Sequence, residues 1–556
     1  MSKTNPVIPV RPENERFTDR QWQAVFDGGD NLLVSASAGS GKTTVLVRRV
    51  IEKLKSGVDI DRLLIVTFTE AAASEMKERI EKALRQSINE EGNSNLRAHY
   101  VKQLVLLPQA NISTLHAFCM TVIKRFYYLI DLDPVFRLLS DETEKLLLQE
   151  EVWTGLREDY YANDDEDFFK LTENFGSDRS DEGLTDLVMR LYQFACAAPD
   201  PADWLEELPK NYQAQDGFQT TALYQSAIKP AVVAELELAV ANYEQAIAIC
   251  QNEEKLTKDV ALLTTQLNQV MRLQAALVAD DMAALFAQIE GLDLKTNVRK
   301  KRGELADLSV SVKEFQGIAK ESVAQVVTYF PYPEAMMNDL LVKSHALVAK
   351  MSEVTQAFSQ AYTKKKLAKG VLDFNDLEHY TLAILKAENS PATTYYKSKF
   401  TEVMVDEYQD VNRLQEAILS YVRDNTESAG NMFMVGDVKQ SIYAFRLADP
   451  TLFIEKYNDY GNEKNGRRIV LAENFRSRKE VLDFTNLVFE QLMDQQVGQI
   501  DYDQAAALIP GFPNFPASDA FKTELLLFEK GTKDDVKHFE TRQAGEIQIT
   551  ALKIKE

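Results

Sequence analysis

Between residues 1 and 138 short apolar runs alternate with stretches in which apolar residues recur every three or four positions. The runs Asn31–Ala36, Leu63–Phe68 and Ala110–Leu115 predict strands, and the βαβ rhythm predicts a parallel sheet. From about residue 139 to 365 the pattern changes. Leu, Ala, Glu, Gln and Lys dominate, as in Asp141–Leu148 and Pro230–Ala287, and strand signals are few. That pattern predicts an all-helical insertion. The α/β rhythm returns after residue 366, with strand candidates Thr401–Val405, Asn431–Val435 and Arg468–Leu471. Near the end come a Pro-rich turn, Pro510–Pro516, a strand-like run, Glu524–Glu529, and a last helical pattern. The expected organisation is an α/β domain in two parts, 1–138 and 366–465, a helical insertion, 139–365, and the beginning of a second α/β lobe, 466–556.

The 556 residues exceed what one core uses, so about three or four domains are expected. A 45% hydrophobic and 27% charged composition is ordinary for a globular protein. No apolar window is long enough to span a bilayer, and the N-terminus has no apolar signal core. Cys119, Cys196 and Cys250 are scattered, with no metal spacing or disulfide framework, so a cytoplasmic location is expected. The formal net charge is −22. It confines any nucleic-acid contact to a local groove in an otherwise acidic surface. The basic clusters Arg299–Arg302 and Lys364–Lys366 could meet phosphates; solvated helix ends are the plainer reading of both.

Four segments carry chemistry. Ala36-Ser37-Ala38-Gly39-Ser40-Gly41-Lys42-Thr43-Thr44 lies between a strand and a helix and reads as a phosphate-binding loop. Its glycines let backbone N–H groups face a polyphosphate, Lys42 reaches the β- and γ-phosphates, and Thr43 can ligate Mg²⁺. Ala36 stands where the general pattern has Gly. The run Glu402–Val405 ends in Asp406 and Glu407, the first suited to Mg²⁺ and the second to orienting or deprotonating an attacking water. Adjacent acids there favour nucleotide hydrolysis over phosphate transfer to a small molecule. In the third segment, Gln440 could sense the γ-phosphate, and Tyr443, Phe445 and Arg446 could hold unpaired bases. Arg476, after the strand ending at Leu471, is a candidate arginine finger; taken alone it reads as a surface ion-pair residue.

In this order the segments resemble the superfamily 1A helicases of the UvrD/Rep/PcrA type. Phe17–Val25 is similar to their adenine-reading motif, with Gln21 as reader, and a leading Ala36 suits their phosphate loop. Thr67, Phe68 and Thr69, running on to Ile80, resemble their first single-strand-contacting motif, with Glu70-Ala71 replacing the usual Asn-Lys. Phe445 stands where many members carry Trp, and Phe475, beside the nucleotide, where many carry Tyr. Ile112–Cys119, with His116 as a DNA contact, the helical segment from Arg179 to Leu205, and Val371–Leu377 resemble the AddA/RexA family of Firmicutes-type helicase/nucleases. The resemblance implies a RecA-like P-loop fold with ATP and Mg²⁺ as cofactors. Its implied partners are a B subunit of the AddB/RexB type, single-stranded DNA and double-stranded DNA. It also implies 3′→5′ translocation, and resection of double-strand breaks with a nuclease.

Two later motor boxes and the nuclease's acidic cluster are not found in these residues. A truncated chain is the first expectation and a natural short form the second; such a chain is expected to bind ATP·Mg²⁺ weakly and not to unwind DNA. A stand-alone UvrD-like helicase and, for the fragment, an inactive ATP- and DNA-binding module remain as alternatives.

Overall fold

The computed structural model describes residues 8–177, 180–214, 217–426, 429–494, 498, 500–504, 506–512, 515–516, 522–526 and 541–555. The chain divides into two compact units. One comprises residues 1–115, 395–411 and 422–556, the other residues 116–394 and 412–421.

The first unit is built on six parallel strands: β1 (Leu32–Ala36), β2 (Leu63–Thr67), β3 (Asn111–Thr114), β4 (Glu402–Val405), β5 (Met432–Gly436) and β6 (Arg467–Leu471). Their spatial order is β6-β1-β5-β4-β2-β3. All five residues of β1, β2 and β5 are buried, as expected of a sheet covered on both faces. The first stretch of this unit carries the helices α1 (Asp19–Phe26), α2 (Lys42–Lys55), α3 (Glu70–Glu90) and α4 (Ser94–Leu106). Thr18 and Gln21 form a capping box that starts α1. In α2, Val45, Leu46, Val50, Ile51 and Leu54 share the sheet-facing side and join the core of Leu32, Val34, Ile65, Met404 and Phe433.

β6 corrects the expected layout. The boundary drawn before residue 466 assigned this strand to a second lobe, yet it pairs in parallel with β1, Arg467 opposite Leu32 and Leu471 opposite Ala36. Residues 422–556 cluster with the first unit. Beyond β6, Glu473–Asn474 pairs with Ile509–Pro510, and helices span Lys479–Leu492 and Arg542–Lys555. The strand expected at Glu524–Glu529 is absent from residues 524–526; its remainder, like Pro513 and Asn514 of the Pro-rich turn, lies outside the described residues.

The second unit is helical. Among the described residues from 139 to 365 no strand occurs. Its apolar cores include one around Trp153, Phe168, Tyr192, Phe358 and Tyr362 and one around Tyr224, Leu236, Tyr243, Leu263 and Val323. The 35-residue helix Glu334–Ala368 serves both. Met337 and Leu341 pack on the second core, and Met351, Val354 and Phe358 belong to the first. Lys366 is buried near the end of this helix, bonded to Asp373 at 2.8 Å and Asp376 at 2.7 Å. It is therefore a structural cation and not a phosphate contact. Arg299, Lys300 and Arg302 are exposed, while Lys301 pairs with Asp259 at 3.2 Å. Among the described residues no helix is long and apolar enough to cross a membrane.

Candidate functional site

The loop from Ser37 to Gly41 connects β1 to α2, so it lies at the carboxyl end of a central strand, where open α/β sheets hold their ligands. Gly39 (φ +71°) and Gly41 (φ +83°) are left-handed. A Cβ at Gly39 would sit 2.8 Å from the Cβ of Arg476 and 2.9 Å from both amide atoms of Asn474, so only glycine fits. Gly41 caps α2, and the helix starts at Lys42. The first-turn N–H groups of α2, at Lys42, Thr43 and Thr44, have no carbonyl one turn earlier and are suited to an anion. The Ser40 hydroxyl is buried with no hydrogen-bond partner among the described residues, which fits a loop completed by a ligand.

Gln21 lies beside this loop, its amide nitrogen donating to the Ser40 carbonyl at 2.9 Å and its oxygen accepting from the Thr18 N–H at 2.9 Å. Arg49, from α2, donates to the carbonyls of Ala24, Val25 and Asp27 at the end of α1 and forms a two-pronged pair with Glu402. Helix α1, and with it Gln21, is thereby fastened to the helix that follows the phosphate loop.

Two strands away, β4 delivers Asp406 and Glu407. Lys42 Nζ bonds Glu407 Oε2 at 2.9 Å, joining the loop to the acid. Glu407 is left-handed (φ 50°, ψ 47°), a conformation that costs a non-glycine residue roughly 1–2 kcal/mol and is held by its surroundings. Burial, together with the neighbouring Glu407 charge, pushes the Asp406 carboxyl up to about 6 despite Lys42. Thr43 and Asp406 are hard oxygen donors of the kind Mg²⁺ takes. Among the described residues no three His, Cys, Asp or Glu side chains gather as a metal site.

The Arg476 turn is stitched to the phosphate loop. Asn474 donates to the Ala38 carbonyl at 2.6 Å and accepts from the N–H groups of Arg476 and Ser477 at 2.9 and 2.7 Å. The Phe475 N–H bonds the Gly39 carbonyl, and the Ser37 N–H bonds the Leu471 carbonyl. Arg476 is exposed and Phe475 half-buried. Gln440 follows β5, and its amide donates to Asp437 at 2.8 Å.

An aromatic platform lies in the same unit. The rings of Phe68 and Tyr443 are 4.4 Å apart, and those of Tyr443 and Phe445 5.7 Å. The Arg446 guanidinium is 5.4–5.7 Å from all three ring centres. Phe445 is 75% exposed. Thr67 and Thr69 serve the chain locally: the Thr67 hydroxyl bonds the Thr69 carbonyl, and Thr69 caps α3. His116 belongs to the helical unit, where it bonds Glu378 at 3.0 Å and packs on Phe374.

The residues brought together are thus Gln21, Ser37–Thr44, Asp406, Glu407, Gln440, Phe475 and Arg476 at the strand ends, and Phe68, Tyr443, Phe445 and Arg446 on the platform. Asn474, Gln409 and Asp437 were not singled out from sequence. Each lies inside one of the segments that carry the resemblance, as an amide or acid within a few residues of a strand end.

The UvrD/REP helicase N-terminal domain family matches residues 17–461. A protein of Enterococcus faecalis, named as the A subunit of an ATP-dependent helicase/nuclease, is 52% identical, over 100% of this chain and 45% of the relative. Proteins of the same name from Levilactobacillus brevis and Ligilactobacillus salivarius are 47% and 42% identical, over 92% and 97% of the chain. The chain covers 41% and 45% of these two relatives, so it spans less than half the length of each of the three.

Proposed function

Because the chain belongs to the UvrD/REP helicase N-terminal domain family, we propose that it carries the nucleotide site and a single-strand contact surface of an ATP-driven DNA translocase. In this reading it forms part of the larger motor chain of a heterodimeric helicase/nuclease that moves 3′→5′ and resects double-strand breaks. The names of its relatives, the A subunit of an ATP-dependent helicase/nuclease, support the helicase/nuclease part of that reading. The observation that carries the chemistry is the junction of Lys42 with Glu407, which brings the phosphate loop and the acid at the end of β4 within 2.9 Å.

In the proposed reaction Lys42 leaves Glu407 for the β- and γ-phosphates of ATP. Glu407 then accepts the proton of a water whose oxygen attacks the γ-phosphorus. The bond from that phosphorus to the ADP oxygen breaks, and inorganic phosphate leaves. Thr43 and Asp406 would hold Mg²⁺, which would supply charge neutralisation to the transferring phosphoryl group. Arg476 faces the developing charge, Gln440 contacts the γ-phosphate, and Phe475 stacks on the base that Gln21 reads. The platform of Phe68, Tyr443 and Phe445 stacks on unpaired DNA bases, with Arg446 adding its charge.

The test is unwinding by the full-length protein together with its B-type partner. A duplex with a 3′ single-stranded tail should be opened in the presence of ATP, and a 5′-tailed duplex should not. Equal opening of both, or of neither, would refute the assignment.

A further inference from the structure

Gln409 is 1% exposed and lies where the ends of β4 and β5 meet. Its amide nitrogen donates to Glu407 Oε2 at 2.9 Å and to Asp410 Oδ2 at 3.3 Å. Its carbonyl oxygen accepts the Asp437 N–H at 2.9 Å. These partners determine which way the amide points. Reversal would set its oxygen against two carboxylates and its nitrogen against an N–H donor, leaving every contact repulsive. The fit is close on the β5 side as well, since a Cβ at Gly436 would lie 2.4 Å from the Gln409 oxygen.

Asp437, in turn, holds the segment that follows β5. Its carboxylate accepts from Gln440 Nε2 at 2.8 Å, from the Lys439 ammonium at 2.8 Å and from the Lys439 N–H at 3.2 Å. A continuous line of hydrogen bonds therefore runs from Glu407 through Gln409 to Asp437 and Gln440, and the platform residue Tyr443 is three positions further on.

Resting on the reaction proposed above, we propose that Gln409 is a positioning residue for that reaction. While Lys42 is paired with Glu407, the carboxylate has two holders on the same oxygen. When Lys42 moves to the phosphates, Gln409 remains and keeps Glu407 aimed at the water. Because the same amide is anchored on the Asp437 backbone, the acid is held in register with the turn carrying Gln440. A buried amide suits this task. It donates to a carboxylate without neutralising it, whereas a cation there would compete for the role of Lys42.

The experiment compares Gln409→Leu and Gln409→Glu with the unaltered full-length protein, in ATP turnover with saturating oligo(dT) and in oligo(dT) affinity. Gln409→Leu removes both contacts. Gln409→Glu keeps an oxygen for the Asp437 N–H and, once its buried carboxyl is ionised, offers Glu407 no donor, so turnover is followed up to about pH 9; being nearly isosteric it preserves the packing. Both are expected to lower kcat at least about tenfold, with KM for ATP and Kd for oligo(dT) within about twofold. The inference is overturned if Gln409→Glu retains kcat, which would reduce Gln409 to a structural acceptor. It is equally overturned if KM and Kd move while kcat does not. Loss of DNA-stimulated turnover in the unaltered protein would instead sink the functional reading itself.

Discussion

Glu402→Gln should destabilise the sheet unit far more than a surface exchange of the same kind. Glu402 and Arg49 expose 6% and 1% of their side chains and meet through two bonds, Nη2 to Oε1 at 2.5 Å and Nε to Oε2 at 3.1 Å. Lys53 adds a contact at 3.2 Å. Removing one partner of a buried pair strands the other charge and costs roughly 3–5 kcal/mol. Arg49 would keep three backbone carbonyls and the face of Phe433, 4.3 Å from its guanidinium carbon. The loss therefore falls at the lower end, about 3 kcal/mol, or roughly a 150-fold fall in the folded-to-unfolded ratio. Amide hydrogen exchange of the strands under increasing urea reads this unit separately from the helical one. Burial alone would raise the Glu402 carboxyl, but the Arg49 and Lys53 charges hold it below its ordinary value. A depressed carboxyl stabilises the fold above the unfolded-state value, so this contribution should vanish as pH falls through the folded one. A change below about 1 kcal/mol at neutral pH would refute the reasoning, because the pair would then behave like an exposed one.

Three further outcomes follow from other parts of the molecule. In the helical unit, burial and the Asp373 charge push the Asp376 carboxyl up to about 6 despite Lys366. The folded state then binds that proton more tightly than the unfolded one, so the unit should gain stability as pH falls from about 6 towards 4, and Asp376→Asn should remove the gain in urea titrations at pH 5 and 7. Gly39→Ala should strain the left-handed loop by about 1–2 kcal/mol and drive Asn474 away, weakening fluorescent ADP binding at least about tenfold. Phe445→Ala should weaken oligo(dT) binding by about 1–3 kcal/mol in fluorescence anisotropy while leaving the melting temperature unchanged, since the ring is largely exposed.

Local pattern carried most of the fold. Each of the six strands was expected within a residue or so of its position, because most are short apolar runs ending in turn residues; Asn111–Thr114, with one apolar residue and a helix directly after it, is the exception. What local pattern lacked was partnership. β6 reads like any other strand, and nothing in Arg467–Leu471 says that it completes the sheet beside β1 rather than opening a new one. Lys366 reads like its two lysine neighbours, and only the approach of Asp373 and Asp376 distinguishes it. The site divides in the same way. Lys42, Asp406 and Glu407 were singled out because phosphate chemistry demands those residue types in a loop after one strand and at the end of another. Asn474 and Gln409 were not, because they bind the loops to one another and their partners lie 436 and 28 positions away in sequence.

The central claim is that Lys42 and Glu407 form one hydrolytic site coupled to single-stranded DNA. It is tested most directly by steady-state ATP turnover of the full-length protein with and without oligo(dT), beside its Lys42→Ala and Glu407→Gln variants. The account predicts turnover that rises with oligo(dT) and falls by at least about a hundredfold in either variant, with Glu407→Gln still binding ATP. Turnover indifferent to DNA, or retained by Glu407→Gln, would contradict it.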